Sequence, residues 1–120
     1  NNCSLHNYKT SYIGFMSISS PTAKSLAALG HDARLDTFRL LVKAGHDGLT
    51  IGQIKDELGL AASTLAHHLR MLVEAGLVTQ EKKGRDVVCR VAFAEMDRII
   101  GFLTAECCVG VNVNVATKVE

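Results

Sequence analysis

Long apolar runs are absent from this sequence, and their absence excludes one large class of proteins. No stretch approaches the roughly 18 consecutive apolar residues that a helix needs to cross a bilayer. The first residues also lack the continuous apolar segment of a secretory signal. We therefore expect a cytoplasmic protein.

Tryptophan is absent, aromatic residues make up only 5% of the chain, and neither sign of charge is in clear excess. The chain has 13 Lys and Arg against 12 Asp and Glu, so it lacks the excess of positive charge typical of many nucleic-acid-binding proteins. Any prediction of DNA binding must therefore rest on where the basic residues lie. The 120 residues can form one small core. Because small domains bury proportionally less surface than large ones, we expect a second copy to complete the fold as a homodimer.

The first 20 residues show no sustained periodicity, and residues 112–120 are polar and alternating. We expect residues 1–20 to form a flexible arm and residues 109–120 to form a mobile tail. Met16 could serve as a start residue, and the sequence leaves open whether residues 1–15 belong to the native protein. Residues 21–108 then make up one folded domain.

Residues 51–78, IGQIKDELGLAASTLAHHLRMLVEAGLV, are the most informative stretch. Apolar residues recur at helical spacing from Ile51 to Leu58 and again from Leu65 to Val73. Only the residues GLAA lie between the two faces, and a glycine can adopt the left-handed conformation that ends a helix. So short a link leaves room only for a tight turn, which predicts a helix-turn-helix.

Two further helices are predicted before this motif. Pro21, behind Ser20 as a cap, favours a short helix up to Leu29. A second helix is expected from His31 to near Gly45, followed by a loop over residues 46–48.

The periodicity changes after the motif. Residues 77–80 and 87–91 are β-prone and are separated by EKKGRD, which predicts one hairpin. Residues 93–106 return to helical spacing with a wide apolar stripe from Phe93 to Leu103. A terminal helix this apolar is expected to need a partner.

This order of elements predicts a winged helix-turn-helix, mainly α with a small β-hairpin. The runs LAALGHDARLDTFRLL, LTIGQIKDELGLAASTLAHHLRMLVEAGLV and KKGRD resemble the ArsR family of small dimeric bacterial repressors. The similarity extends from about residue 22 to residue 108 and is most specific in STLAHHL before AGLV. The resemblance implies a homodimer joined through its first and last helices and bound to two-fold-related operator DNA.

The second helix of the motif has small or polar side chains on its outward face, and such residues can approach phosphates and base edges in the major groove. The hairpin adds a local surplus of positive charge that could lie along the DNA backbone. An ordinary amphipathic helix and a solvated charged turn would show the same patterns. The predicted DNA contacts are Ser63, Thr64, His67, Arg70, Lys82, Lys83 and Arg85.

Two metal sites used by other family members are not expected here. The third helix, TIGQIKDELG, has no cysteine, and the terminal helix has acidic residues but no histidine, so zinc sensing is disfavoured. His67 and His68 point about 100° apart on a helix and cannot easily chelate one ion. We expect His68 to be half-buried and His67 to lie at the surface.

The segment LTAECC resembles the arsenic-sensing members whose last helix ends in two adjacent cysteines. Thiolates suit a soft centre such as trivalent arsenic, and fraying at a helix end lets both sulfur atoms turn toward one atom. The resemblance implies that Cys107 and Cys108 bind the inducer. Relatives tend to carry a third cysteine further on, which is missing here. Cys89 is a candidate third ligand, although burial in a strand would also explain it, and Cys3 lies in the predicted arm.

Several hypotheses about the inducer stay open. Two thiolates would satisfy an arsenic atom that already carries one carbon substituent, so a methylated or aryl arsenical is an alternative to arsenite. A redox or persulfide sensor of the same fold, or a DNA-binding protein without a ligand, is also consistent with the sequence. A thiol-dependent reductase is less favoured because no C-x-x-C or glycine-rich loop is present. We thus predict a repressor with no catalytic residues and no obligatory cofactor, released from operator DNA by trivalent arsenic.

Overall fold

The computed structural model of the chain describes residues 20–113, which form five α-helices and one small antiparallel sheet. The predicted winged helix-turn-helix, mainly α with a small β-hairpin, is confirmed. No helix within the described residues is long and apolar enough to cross a membrane. In chain order the elements are α1 (Pro21–Leu29), α2 (Asp32–Ala44), β1 (Leu49–Thr50), α3 (Ile51–Leu58), α4 (Ala62–Glu74), β2 (Val78–Lys83), β3 (Asp86–Val91) and α5 (Phe93–Thr104).

The helix starts follow local capping signals. The Ser20 hydroxyl accepts the backbone N–H of Ala23 at 3.0 Å, with Pro21 as the first residue of α1. At α3, Thr50 accepts the N–H of Gln53 at 3.1 Å while the Gln53 side chain accepts the N–H of Thr50 at 2.9 Å. This reciprocal pair satisfies two backbone donors that would otherwise lack partners. Both starts agree with the sequence prediction.

A left-handed glycine makes the turn of the helix-turn-helix. Gly59 has φ 67° and ψ 29°, and its N–H donates to the carbonyl of Lys55 at 2.8 Å. Glycine adopts this conformation without the steric cost that a Cβ would add. The chain then enters α4 at Ala62, so the tight turn predicted from the sequence is confirmed.

The sheet has a third strand that the sequence prediction missed. Leu49 pairs with Cys89 and Thr50 pairs with Val88, so the strand order is β1-β3-β2. The preceding residues, predicted as a loop, begin with a 3₁₀ turn over Gly45–Asp47. Two residues carry too little pattern to predict a strand, because β1 exists only through its pairing with β3.

The hairpin is also longer than predicted. The register continues to the pair Lys83 and Asp86, so most of the expected connecting loop belongs to the strands and only Gly84 and Arg85 form the turn. Both strands are solvent-exposed near this tip. The alternation of apolar and polar residues that marks a half-buried strand is therefore missing from the tip.

The core lies beneath α4 and is built mainly from aliphatic side chains. The inward face of α4 is buried as predicted, at Leu65, Leu69 and Leu72, and Ile54 of α3 is fully buried beside it. The apolar stripe predicted for α5 is only partly buried. Ile99 is buried, whereas Ile100 and Leu103 are 53% and 59% exposed.

The end of α5 differs from the prediction. The helix ends at Thr104 instead of Glu106, and both Glu106 (φ 67°) and Cys108 (φ 65°) have left-handed backbone conformations that interrupt it. Cys107 and Cys108 therefore lie in a turn beyond the helix.

The predicted arm and tail fall mostly outside the described residues. Residues 1–19, including Cys3, and residues 114–120 are not among them. Ser20, assigned to the arm, instead caps α1. Residues 109–113 are exposed and form neither helix nor strand.

Candidate DNA-reading surface and thiol pair

The outward face of α4 presents the four helix residues predicted to contact DNA. Ser63, Thr64, His67 and Arg70 are all exposed, while the opposite face packs into the core. Positions 63, 67 and 70 follow helical spacing and so share one face. The side chains at Ala62 and Ala66 between them are small and also exposed, which allows close approach to a DNA groove.

The start of α4 leaves backbone donors open. Its N-cap residue, Ala61, makes no side-chain hydrogen bond to the first turn. The first N–H groups of a helix have no partner within the helix, and the helix dipole favours negative charge at this end. Phosphate oxygens are suitable acceptors for these groups.

The wing, which is the hairpin of β2 and β3, carries three exposed basic residues near its tip. Lys82 and Lys83 end β2, and Arg85 lies in the turn. Arg90 behaves differently, although it belongs to the same basic hairpin. Its guanidinium donates to Glu81 at 2.8 Å and to the carbonyl of His46 at 3.0 Å, so it is bonded within the protein.

The two adjacent cysteines form a close, solvent-accessible pair. The Sγ atoms of Cys107 and Cys108 are 2.9 Å apart, and both residues are exposed free thiols. Backbone hydrogen bonds from Cys107 to Thr104 at 2.9 Å and from Val109 to Glu106 at 3.1 Å define the turn that holds them. The hydrogen bond shared with Cys107, followed by a smaller effect of burial, raises the pKa of the Cys108 thiol.

Cys89 lies elsewhere and has the properties of a structural thiol. It is fully buried in β3, and the Gln80 amide donates to its sulfur atom at 3.5 Å. Burial raises the pKa of the Cys89 thiol. Within residues 20–113 no group of three His, Cys, Asp or Glu residues is placed to hold a metal ion. The structure thus does not bring Cys89 to the pair as a third ligand.

Comparison with known proteins agrees with this arrangement. A family model described as a helix-turn-helix domain matches residues 29–81. An ArsR-like transcriptional regulator from Rhodococcus sp. RHA1 has a similar structure, with a TM-score of 0.61 and 26% identity over 69% of this chain and 76% of that chain. The chain thus contains a helix-turn-helix domain and has the fold of ArsR-like transcriptional regulators.

Two further structures show the same similarity. A "possible transcriptional regulator for arsenical resistance" has a TM-score of 0.59 and 26% identity, over 67% of this chain and 80% of that one. The transcriptional repressor BigR from Xylella fastidiosa has a TM-score of 0.55 and 25% identity, over 72% of this chain and 85% of that one. No curated protein matches the chain by sequence.

The two neighbouring histidines of α4 have separate environments. His67 is exposed, as predicted, whereas His68 is buried and not half-buried. The His68 ring packs 4.8 Å from that of His31, and its Nδ1 has no hydrogen-bond partner. Desolvation by burial, followed by the nearby His31, Arg34 and His67, lowers the pKa of His68.

A buried polar network between α1 and α5 was missed from the sequence. Thr22 and Ser25 of α1 are buried and bond to Arg98 and Glu95 of α5. One signal could have indicated it, because Thr22 and Ser25 occupy positions three residues apart on the face of α1 that also carries Ala28. Polar residues on a buried face generally have partners. Those partners lie more than 60 residues away, so the sequence around Thr22 and Ser25 does not indicate which residues they are.

Proposed function

We propose that the chain is an ArsR-type repressor that leaves its operator when a trivalent arsenical binds Cys107 and Cys108. The observation that carries the proposal is the 2.9 Å separation of two exposed sulfur atoms. At this distance both can bond to one atom with little movement of the turn. Soft thiolate ligands match a thiophilic centre such as trivalent arsenic.

The number of sulfur atoms favours one class of arsenical. A carbon-substituted arsenical with two hydroxyl groups reacts with two thiols to form two As–S bonds and release two water molecules, with no change of oxidation state. Arsenite would retain one hydroxyl group or need a third sulfur. Because Cys89 is buried in the sheet, the pair fits a methyl or aryl arsenical better than arsenite.

A redox sensor of the same fold is the alternative, and two features count against it. A disulfide between Cys107 and Cys108 would be strained, because the Cα atoms of adjacent residues are about 3.8 Å apart whereas disulfides usually span about 4.4–6.8 Å. Cys89, which could supply a disulfide partner, is buried.

The DNA-binding unit in this proposal is a homodimer in the cytoplasm. A groove of about 590 Å³ lies between α1, α2 and α5, and its walls are mainly apolar. Exposed side chains as large as Ile100 and Leu103 favour coverage by the same surface of a second copy, which would present two α4 helices to a two-fold-related operator. The groove is lined by Leu26, Leu29, Leu35, Phe38, Arg39, Val42, Lys43, Leu77, Met96, Ile99, Ile100 and Leu103.

The test measures operator release and thiol occupancy together. A duplex selected from a random-sequence pool is bound to the protein, and phenylarsine oxide, arsenite, zinc and hydrogen peroxide are added separately. We expect phenylarsine oxide to bind once per chain, consume two thiols and release the duplex. The Cys107→Ser, Cys108→Ser variant should bind the duplex without release, and the matched Cys89→Ala variant should still respond.

Two results would contradict the proposal. Release by none of the four compounds would show that the protein does not sense arsenic or redox state. Unchanged release from the double variant would place the sensor elsewhere in the chain.

A further inference from the structure

The hydroxyl group of Ser25 faces two acceptors from two different helices. Its Oγ lies 3.1 Å from the carbonyl oxygen of Ala75 and 3.4 Å from Oε2 of Glu95. Ser25 is 1% exposed, so bulk water does not compete for these contacts. A serine hydroxyl has one hydrogen to donate. It can therefore serve the two acceptors only by sharing that hydrogen or by alternating between them.

The first acceptor lies at the junction of α4, the helix predicted to contact DNA, and the wing. Ala75 is the C-cap residue of α4, and β2 begins three residues later at Val78. The carbonyl groups at the end of a helix lack partners within it, so an outside donor has a specific role here. The Ser25 hydrogen bond thus helps to fix how α4 continues into the wing.

The second acceptor belongs to the helix that leads to the thiol pair. Glu95 lies in the first turn of α5, and Arg98 holds its carboxylate with two hydrogen bonds of 3.0 and 2.7 Å. Arg98 also donates to Thr22 of α1 at 2.9 Å. The hydrogen bonds that Glu95 accepts from Arg98 are the main cause that lowers the pKa of Glu95, and they keep its carboxylate charged. The carboxylate of Glu95 is therefore held in a fixed position relative to α5.

We propose that Ser25 couples α5 to α4 by dividing one hydrogen between Glu95 and the carbonyl of Ala75. If α5 moves Glu95 away, the hydrogen passes wholly to Ala75 and holds the α4–wing junction. If Glu95 approaches, the carbonyl loses its donor and the junction is released. The identity of the inducer that moves α5 rests on the proposed function. The competition of Glu95 and the Ala75 carbonyl for the Ser25 hydrogen does not, because it is a property of the ligand-free protein.

The coupling can be measured without any inducer by a double-mutant cycle on operator affinity. Glu95→Gln weakens the second acceptor, and Ser25→Ala removes the donor. We expect Glu95→Gln to change operator affinity at least about twofold, the lower end of couplings between contacting residues. In the Ser25→Ala background the same change should have a clearly smaller effect, because only the contacts of Glu95 with Arg98 remain. Ser25→Cys, which fills the site with a weak donor, repeats the cycle without opening a cavity.

Thr37→Val is the matched control. Thr37 is buried like Ser25, but its hydroxyl donates only within its own helix, to Ala33 at 2.7 Å. The effect of Glu95→Gln should persist in that background. A Glu95→Gln effect that is undiminished in both Ser25 backgrounds, or no effect in the wild-type protein, would overturn the proposal.

A second arm separates this inference from the proposed function. With phenylarsine oxide, the wild-type protein should lose operator affinity 5–150-fold, the usual range of coupling between sites. Ser25→Ala should bind the compound with the same two-thiol stoichiometry yet lose most of that response, and full release from this variant would contradict the coupling role. If the wild type binds the compound without release, the proposed function fails, while the inducer-free cycle still decides the role of Ser25.

Discussion

The imidazole of His68, on α4, packs 4.8 Å from the imidazole of His31, whose own Nδ1 accepts the N–H of Ala33 and caps α2. His68 is only 6% exposed, and its Nδ1 has no hydrogen-bond partner. The position of α4 therefore depends on a histidine that is buried without a counter-charge. Protonation of His68 would place a cation beside Arg34 and a second histidine.

Stability should consequently fall as the pH is lowered. The pKa of His68 is below its ordinary value of about 6.5, so the unfolded chain binds more protons than the folded one just below that pH. The free energy of unfolding should drop as pH decreases from about 6.5 through the lower pKa of the folded state. Urea titrations between pH 7 and 5 measure the slope. His68→Leu should reduce it, whereas the matched His67→Gln, at an exposed site, should retain most of it.

Gly48 should not tolerate a side chain. Its φ of 70° and ψ of −171° lie in a region that is essentially restricted to glycine, and an added Cβ would lie 2.4 Å from the carbonyl oxygen of Cys89. Gly48→Ala should cost about 1–3 kcal/mol or more in the free energy of unfolding, because backbone strain and this contact act together. Chemical denaturation measures the loss. Gly52→Ala is the control, since its Cβ meets only the Thr50 hydroxyl at 3.9 Å, and equal losses would contradict the prediction.

The wing should contribute to DNA affinity mainly through charge. Replacing Lys82, Lys83 and Arg85 with Gln should weaken operator and unrelated DNA alike and reduce the slope of log affinity against log salt by about 1 per lost phosphate contact. Fluorescence anisotropy at several salt concentrations measures both effects. Arg90→Gln is the comparison within the same hairpin. Its guanidinium is held by Glu81 and His46, so the slope should stay near the wild-type value.

Self-association should depend on the exposed apolar residues of α5. Leu103→Glu places a charge in the groove between α1, α2 and α5, where a second copy is proposed to pack. We expect this variant to sediment as a monomer at micromolar concentration and to bind operator DNA weakly. Ala94→Glu, also exposed on α5 but outside the groove, should leave association unchanged. A monomeric wild-type protein would rule out the dimer.

Features set by neighbouring residues could be predicted from the sequence. Ser20 and Thr50 cap their helices through atoms no more than three residues away, and Gly59 ends α3 through its own backbone conformation. The helical spacing of Leu65, Leu69 and Leu72 likewise identified the buried face of α4. The exposure of the seven predicted DNA-contact residues followed from that face and from the charged hairpin.

Features that depend on distant partners could not be predicted. Strand β1 forms only because residues 49–50 meet β3 about 40 residues later, and the Ser25 hydroxyl finds its acceptors 50 and 70 residues away. The sequence by itself determined the main helices, the tight turn between α3 and α4 and the exposed face of α4, because capping and periodicity act within a few residues. Only the tertiary structure decided that His68 faces His31, that Cys89 lies apart from the thiol pair, and that one serine joins α5 to α4. Those relationships arise from packing, which brings together groups that the chain itself keeps far apart.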